Sequence, residues 1–357
     1  MAKKQEYGNE SITSLKGADR VRKRPAVIFG SDGVEGCAHS IFEIVSNSID
    51  EARDGHGDTI NVTRCKDGSV IVEDFGRGMP VDWNNGEGRY NWELLFCEMY
   101  AGGKYGEGED NYEFSLGLNG LGLCATQYAS AWMTADIYRD GYHYHLDFKK
   151  GENVGGLQKE AYKGRRTGSI IHWKPDDEVF TDIDVPGSYY KDTLRRQAVV
   201  NAGLTLNFTD EKEKDPATGK AWYESWCYEH GIADYVAEQA QSQVVQQAVI
   251  RKWAKDVNVA LTEDDQTVLA NKKESYGEGG FEKMLKLNGV SEELFDQITG
   301  SSMLYEKLYN AYCGENGEMR PSDSDLSALA QEHGLMTADV LYVSTEGMDD
   351  AAKAEAR

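Results

Sequence analysis

Residues 42–52 read Phe42-Glu43-Ile44-Val45-Ser46-Asn47-Ser48-Ile49-Asp50-Glu51-Ala52. Glu43 and Asn47 stand at i and i+4, and Asp50 falls near the same side. Three polar side chains therefore line one face of an otherwise apolar helix. Such a face presents a carboxylate to a water molecule and an amide oxygen to a metal ion. An amphipathic surface helix with an acidic face has the same pattern, so the segments downstream must decide.

The second segment is Val72-Glu73-Asp74-Phe75-Gly76-Arg77-Gly78-Met79-Pro80, an acid at the end of a strand followed by a glycine-rich turn. A carboxylate there accepts a hydrogen bond from an exocyclic amine, and Gly76 and Gly78 let a flat ring approach the backbone. A plain strand-ending turn reads the same way. The third segment is Tyr100-Ala101-Gly102-Gly103-Lys104, and the fourth is Gly117-Leu118-Asn119-Gly120-Leu121-Gly122. Free N–H groups at a glycine-rich helix start suit a polyphosphate, although glycines also cap helices and open loops. The spacing is neither a Walker loop, which needs GxxxxGK followed by Ser or Thr, nor a dinucleotide motif opening after a strand.

Outward from these segments, residues 11–23 have helical spacing opening at Ser11 and stopped by Pro25. Strands are expected over 59–65 and 69–73, joined by the Asp67-Gly68 turn, and a helix around 92–100. Residues 104–116 are acidic and aperiodic, the pattern of a long lid loop. A helix over 123–129 precedes alternating antiparallel strands between 132 and 173, a helix over 189–201 and a strand over 204–208. An acidic turn, DEKEKDPATGK, and a segment over 222–228 follow. Helical patterning then dominates, over 233–261, 280–287, 291–299, 303–312 and 324–332, with a fraying tail.

The chain has 357 residues, 40% hydrophobic and 28% charged, which suits two globular domains. It holds no run of about 18 apolar residues, and its first residues lack the apolar core of a signal peptide, so a cytoplasmic protein without a membrane partner is expected. Six cysteines without a CxxC pair signal neither a zinc site nor a disulfide framework. His143 and His145 alternate along a strand, which favours a packed or solvated role over a metal role. A formal charge of −23 argues against broad, sequence-independent contact with DNA, and the one basic cluster, Arg20 to Arg24, reads as a solvated loop.

Taken in order, the four segments resemble the ATP-binding signature of the GHKL superfamily. The flanks SITSLKGADRVRKRPAVIFGS, DGSVIVEDFGRGMPV and RRTGSIIHWKPDDEVF are similar to the amino-terminal ATPase domain of bacterial type IIA topoisomerase B subunits, over roughly residues 7–235. The resemblance implies an α/β fold, the GHKL (Bergerat) two-layer sandwich, with helices on one face of a mixed, mainly antiparallel sheet. That domain would occupy residues 1–235. A mostly helical region of unassigned role, matching neither a standard transducer nor a Toprim domain, would occupy 236–357; Lys272 and Lys273 there read as surface lysines.

By the same resemblance, ATP and Mg2+ are the cofactors. Glu43 is the general base that activates water, Asn47 holds the magnesium ion, and Asp50 is a supporting acid. Asp74 reads the adenine amino group, with Thr167 supporting it through water. Glu51 and Arg77 border the adenine pocket, with Gly78, Met79 and Pro80 along the same turn and Arg139 at the mouth. Gly102, Gly103 and Lys104, with Gly117, Leu118, Asn119, Gly120, Leu121 and Gly122, wrap the triphosphate, and Lys104 acts in catalysis. Tyr7 reaches the nucleotide of a second protomer, which implies an ATP-dependent homodimer, with a topoisomerase A-type subunit and DNA as further partners.

The chain departs from the pattern at Phe75, where a small polar residue is usual, at Asn119 in place of His, and at Leu116 in place of Gly. Ala26-Val27-Ile28-Phe29 replaces the usual GMYI. The reading that follows is an ATP-binding, Mg-dependent ATP-hydrolysing module of the type II topoisomerase B kind, with strand passage by this chain alone not expected. A stand-alone nucleotide-sensing GHKL protein, in which ATP binding controls a protein partner, is the alternative.

Overall fold

The computed structural model describes residues 14–101, 120–314, 317 and 319–332. The chain divides into two compact units, Met1–Glu238 and Gln239–Arg357.

The first unit opens with two short helices, α1 (Asp19–Arg22) and α2 (Pro25–Phe29). The single helix expected over 11–23 is not formed across residues 14–18: Gly17 takes a left-handed φ of +51°, which ends any helical run there. Pro25 opens α2 instead of merely stopping a helix, because at the first helical position its missing N–H costs nothing. The basic cluster is less solvated than its composition suggests. Arg22 Nη2 lies 2.7 Å from the buried Asp176 carboxylate.

The long helix α3 (Val34–Arg53) buries Cys37, Ala38, Ile41, Ile44, Val45 and Ile49 along one stripe. Each large aliphatic side chain so buried contributes about 1.5–3 kcal/mol. Its first turn sits so close to the preceding loop that a Cβ at Gly36 would lie 2.0 Å from the Ser31 carbonyl oxygen. Strands β1 (Thr59–Arg64) and β2 (Val70–Asp74) form the expected hairpin, with Gly68 at φ +81° in the turn and Asp67 accepting from the Ser69 N–H. A small ribbon, β3 (Trp83–Asn84) and β4 (Arg89–Tyr90), leads into α4 (Asn91–Cys97). α4 stops short of the expected residue 100 because Glu98 is already extended.

Helix α5 (Gly122–Tyr128) precedes the meander β5 (Ser130–Arg139), β6 (Tyr142–Lys149), β7 (Glu152–Ala161) and β8 (Gly168–Pro175), all antiparallel pairs. After α6 (Gly187–Val200), β9 (Thr205–Lys214) runs through half of the segment expected to be an acidic turn and pairs with β10 (Ala221–Trp226). The eight strands form one sheet in the order β10-β9-β1-β2-β8-β5-β6-β7. Only β1 and β9 run parallel, which makes the sheet mixed and mainly antiparallel.

One face of the sheet is apolar. Ile60, Val62, Val72, Ile137, Leu146, Trp173, Leu206 and Phe208 alternate with polar neighbours and join the stripe of α3 in the core. Phe96 of α4 stacks on Phe148 at 5.1 Å, and Tyr190 of α6 on Phe208 at 5.2 Å. The unit is a two-layer sandwich with its helices on one side.

Helix α7 (Ile232–Asp256) ends before the expected residue 261, where Asn258 turns left-handed. The second unit continues with α8 (Glu263–Glu274), α9 (Gly280–Asn288), α10 (Glu292–Cys313) and α11 (Asp323–Glu332). α8 has no counterpart in the periodicity reading, yet its start carries a capping box between Thr262 and Asp265. α10 runs unbroken through Gly300, where two helices were expected. A Cβ there would meet Leu261 at 3.2 Å, so the glycine serves close packing. Lys273 is tied to Glu292 and Asp296, both at 2.7 Å. Among the described residues no helix is long and apolar enough to cross a membrane.

Candidate functional site

A cavity of about 700 Å³ opens beside α3, between the turn after β2 and the start of α5. Helix α3 supplies His39, Glu43, Asn47, Asp50 and Glu51 to its lining, and the turn supplies Asp74, Arg77, Gly78, Met79 and Pro80. Gly120, Leu121, Gly122 and Arg139 are among the residues that line its other sides. Residues more than 90 apart in sequence thus meet around one space.

Glu43 faces the first residue of α5. A Cβ at Gly122 would fall 1.8 Å from Glu43 Oε2, so only glycine leaves the carboxylate its place. Its other oxygen lies 3.1 Å from His39 Nε2, one turn earlier on α3, and His39 Nδ1 lies 3.3 Å from the Phe29 carbonyl oxygen. The hydrogen bond to Glu43 is the main reason that the His39 pKa stands above its ordinary 6.5, against an opposing push from partial burial. His39 was missed in the sequence, although its position four residues before Glu43 was a usable signal.

Asn47 donates its side-chain N–H to the Glu43 backbone carbonyl at 2.8 Å. That leaves Oδ1 as the amide atom free to take a cation, and the neighbouring carboxylates match the all-oxygen preference of a hard divalent ion. The donor set therefore fits magnesium. Asp50, 4% exposed, lies one turn along the same helix.

Asp74 is buried at the end of β2. Its Oδ1 accepts from the backbone N–H groups of Gly76 (3.0 Å) and Ser169 (3.2 Å), and its Oδ2 from the Ser48 hydroxyl (3.1 Å). Burial pushes its pKa up, and these hydrogen bonds only partly offset the rise. Ser48 and Ser169 are two further residues that the sequence did not single out. Thr167, expected to support the adenine contact through water, is exposed and is not part of the cavity lining. Gly168, at φ +114°, packs so close that a Cβ would lie 2.2 Å from the Asp74 carbonyl oxygen, and it brings Ser169 to Asp74.

Glu51 takes a two-pronged contact from Arg77, with Nε and Nη2 both at 2.9 Å, and the Arg77 backbone N–H adds a third bond at 2.7 Å. Burial raises the Glu51 pKa, but the arginine outweighs it and holds the carboxyl below its ordinary value. A Cβ at Gly76 would sit 2.3 Å from Glu51 Cγ, so this glycine is needed for the fit. Arg139 Nη1 donates to the Gly78 carbonyl at 2.7 Å and braces the same turn.

Phe75 does not line the cavity. Its ring lies under the Arg166 guanidinium, 5.6 Å away, and Arg166 also covers Tyr138 and pairs with Glu73. Val27, Ile28 and Phe29 of the divergent AVIF segment do line it. Tyr7, Gly102, Gly103, Lys104, Leu116, Gly117, Leu118 and Asn119 lie outside the described residues. The flanks of that segment meet at the cavity, where the Tyr100 N–H donates to the Gly120 carbonyl at 3.1 Å.

A mixed sheet backed by helices on one face, with an acid and an amide on the central helix turned toward a glycine-bordered cavity, defines the GHKL class of ATPase domains. Comparison with known proteins narrows the class. No family model matches the chain. The B subunit of DNA topoisomerase 4 from Enterococcus faecalis is 33% identical over 342 residues, covering 94% of this chain and 47% of that protein. Its Staphylococcus aureus namesake is 38% identical over 238 residues, 66% of this chain and 35% of that protein. The 43K ATPase domain of Thermus thermophilus gyrase B, solved in complex with an aminocoumarin, matches with a TM-score of 0.53 at 32% identity, covering 63% of this chain and 55% of that one. The chain carries a GHKL ATPase domain of the kind found in topoisomerase B subunits.

The chain spans about half the length of the Enterococcus relative and about a third of the Staphylococcus one. An alignment over 94% of the chain takes in much of the second unit, so the likeness is not confined to residues 7–235.

Proposed function

We infer that the first unit binds ATP with Mg2+ and hydrolyses it, and that the chain serves a type II topoisomerase. The observation that carries this reading is the convergence of Glu43, Asn47 and Asp74 on one cavity of about 700 Å³, a volume suited to a nucleotide.

In this reading the Asp74 carboxylate accepts from the adenine amino group while Ser48, Gly76 and Ser169 hold it in place. Gly76 and Gly78 let the base lie against the backbone, with the Glu51 and Arg77 pair and Arg139 at its border. Asn47 Oδ1 would hold the cation, which would supply charge neutralisation that the acidic wall cannot. Glu43 takes a proton from the attacking water, and His39 fixes the direction of its carboxylate. Phosphoryl transfer to water demands positioning and charge compensation more than covalent catalysis, which these groups supply. By the family resemblance, Lys104 and the glycines of 102–103 and 117–122 are the proposed contacts of the triphosphate.

The test is Mg-dependent phosphate release. Wild type should turn over ATP, and Glu43→Ala should not, while binding of a nonhydrolysable analogue persists. Equal turnover in both would remove Glu43 from the catalytic role.

The relatives extend the reading to the whole assembly. An ATP-dependent homodimer, an A-type subunit and DNA handled through the complex are the proposed partners. Light scattering with and without the analogue reads the dimer, and supercoil relaxation with an added A-type subunit reads the DNA step. The reach of the Enterococcus likeness beyond residue 238 weighs for this reading over a stand-alone nucleotide sensor.

A further inference from the structure

The open face of the sheet holds a cluster that the nucleotide chemistry does not use. His143 and His145 are two residues apart on β6, so their side chains leave the same face. Asp136 on β5 stands directly opposite His145, and Glu160 on β7 directly opposite His143. Ala135, Ile137, Tyr144 and Leu146 point into the core, which puts the cluster on the side of the sheet away from it. None of its residues lines the cavity.

One oxygen does most of the joining. Asp136 Oδ1 lies 2.8 Å from His143 Nε2 and 2.8 Å from His145 Nδ1. Each of the three residues offers one ligand atom within 4.8 Å of the other two, near enough for small side-chain shifts to gather them around a single small cation. Each imidazole is also held from behind by a second carboxylate. His143 Nδ1 lies 2.9 Å from Glu160 Oε1, and His145 Nε2 lies 3.1 Å from Asp147 Oδ2. A carboxylate on the far nitrogen is the arrangement that fixes the tautomer of a metal-bound histidine and raises its basicity. Three carboxylates converge here on two imidazoles, and among the described residues no lysine or arginine pairs with any of them.

We propose that Asp136, His143 and His145 form a binding site for a divalent transition metal of the zinc class, with Glu160 and Asp147 as the outer carboxylates. Two imidazole nitrogens and one carboxylate oxygen suit zinc better than magnesium or calcium, which prefer oxygen alone. The cluster side chains are only partly exposed, Asp136 28%, His143 19% and His145 27%, so they are held by the sheet yet remain open to water for the remaining coordination position. The site departs from the packed or solvated role that strand alternation suggested for the two histidines.

The experiment titrates Zn2+ alone into the full chain, stripped of metal by a chelator, by calorimetry in excess Mg2+ so that the carboxylates of the nucleotide cavity are occupied. Cys227→Ser is the background, because Cys227 is the exposed thiol. One equivalent of zinc should bind. His143→Gln/His145→Gln should lose that equivalent while nucleotide-analogue affinity and melting temperature hold, and Asp136→Asn should lose it too should the double variant fail to fold. Glu160→Gln should weaken binding about 10- to 100-fold without abolishing it. Absence of zinc binding in the background chain, or an unchanged equivalent in both ligand variants, would overturn the proposal.

Discussion

His39 Nε2 stands 3.1 Å from Glu43 Oε1 across one turn of α3, and Gly122 closes on the other oxygen of the same carboxylate. The acid is thus held on both sides before any substrate arrives. Glu43→Gln should lower kcat by about 10²- to 10⁴-fold, the usual worth of a general base, with binding of a nonhydrolysable ATP analogue preserved. His39→Gln should cost about 10-fold, the worth of one charge-assisted hydrogen bond, again in kcat. A loss of analogue affinity in either variant would argue that the pair serves binding instead.

Gly122→Ala separates stability from turnover. The added methyl collides only with the far end of the Glu43 side chain, which can swing aside, so the melting temperature should scarcely move. The displaced carboxylate should nevertheless carry the phosphate-release rate toward that of Glu43→Gln. Unchanged turnover would show that the position of the acid is not critical.

Asp74→Asn tests the adenine contact. An amide nitrogen in place of Oδ2, the oxygen that takes the Ser48 hydroxyl, would turn an acceptor into a donor facing the proposed position of the adenine amino group. Loss of that hydrogen bond costs about 1–3 kcal/mol, so ATP-analogue affinity should fall about 10- to 100-fold by calorimetry, with discrimination against GTP reduced.

Arg22 and Asp176 predict a pH effect. Burial raises the Asp176 pKa, but the hydrogen bond from Arg22 outweighs it and holds the carboxyl below its ordinary 3.8. The pair's stability is therefore fully present above pH 3.8 and is lost as pH falls through the lowered native value. Arg22→Met should cost about 3–5 kcal/mol at pH 7, because it strands a buried carboxylate. Unfolding curves of the two proteins should converge as pH falls below 3.8 through the lowered native value.

Trp173 is fully buried in β8 and donates its indole N–H to the Thr126 carbonyl at 2.9 Å. Trp173→Ala should cost about 3–5 kcal/mol by urea denaturation, since it opens a large void and leaves that carbonyl without its partner.

Much of the fold was legible because its signals are local. The stripe of α3, the Asp67-Gly68 hairpin and the strand alternation between 132 and 173 follow from side-chain period and turn chemistry, which need only a few neighbouring residues. The misreadings have equally local causes. Gly17 broke an apparent helix, Gly300 failed to break one, and a capping box at Thr262 marked a helix that hydrophobic period did not.

By itself the sequence determined which residue types stand on which element: the acid and amide on α3, the carboxylate ending β2, the glycines beside them. Only the tertiary structure decided which of them meet. Pairing β1 with β9 sets Arg64 beside Asp210, 146 residues away, and the turn at Gly168 brings Ser169, not Thr167, to Asp74. The β5, β6 and β7 register assembles Asp136, His143, His145 and Glu160 into one cluster. These are matters of register and close approach between distant segments, set by how the whole core packs, and no local period encodes them.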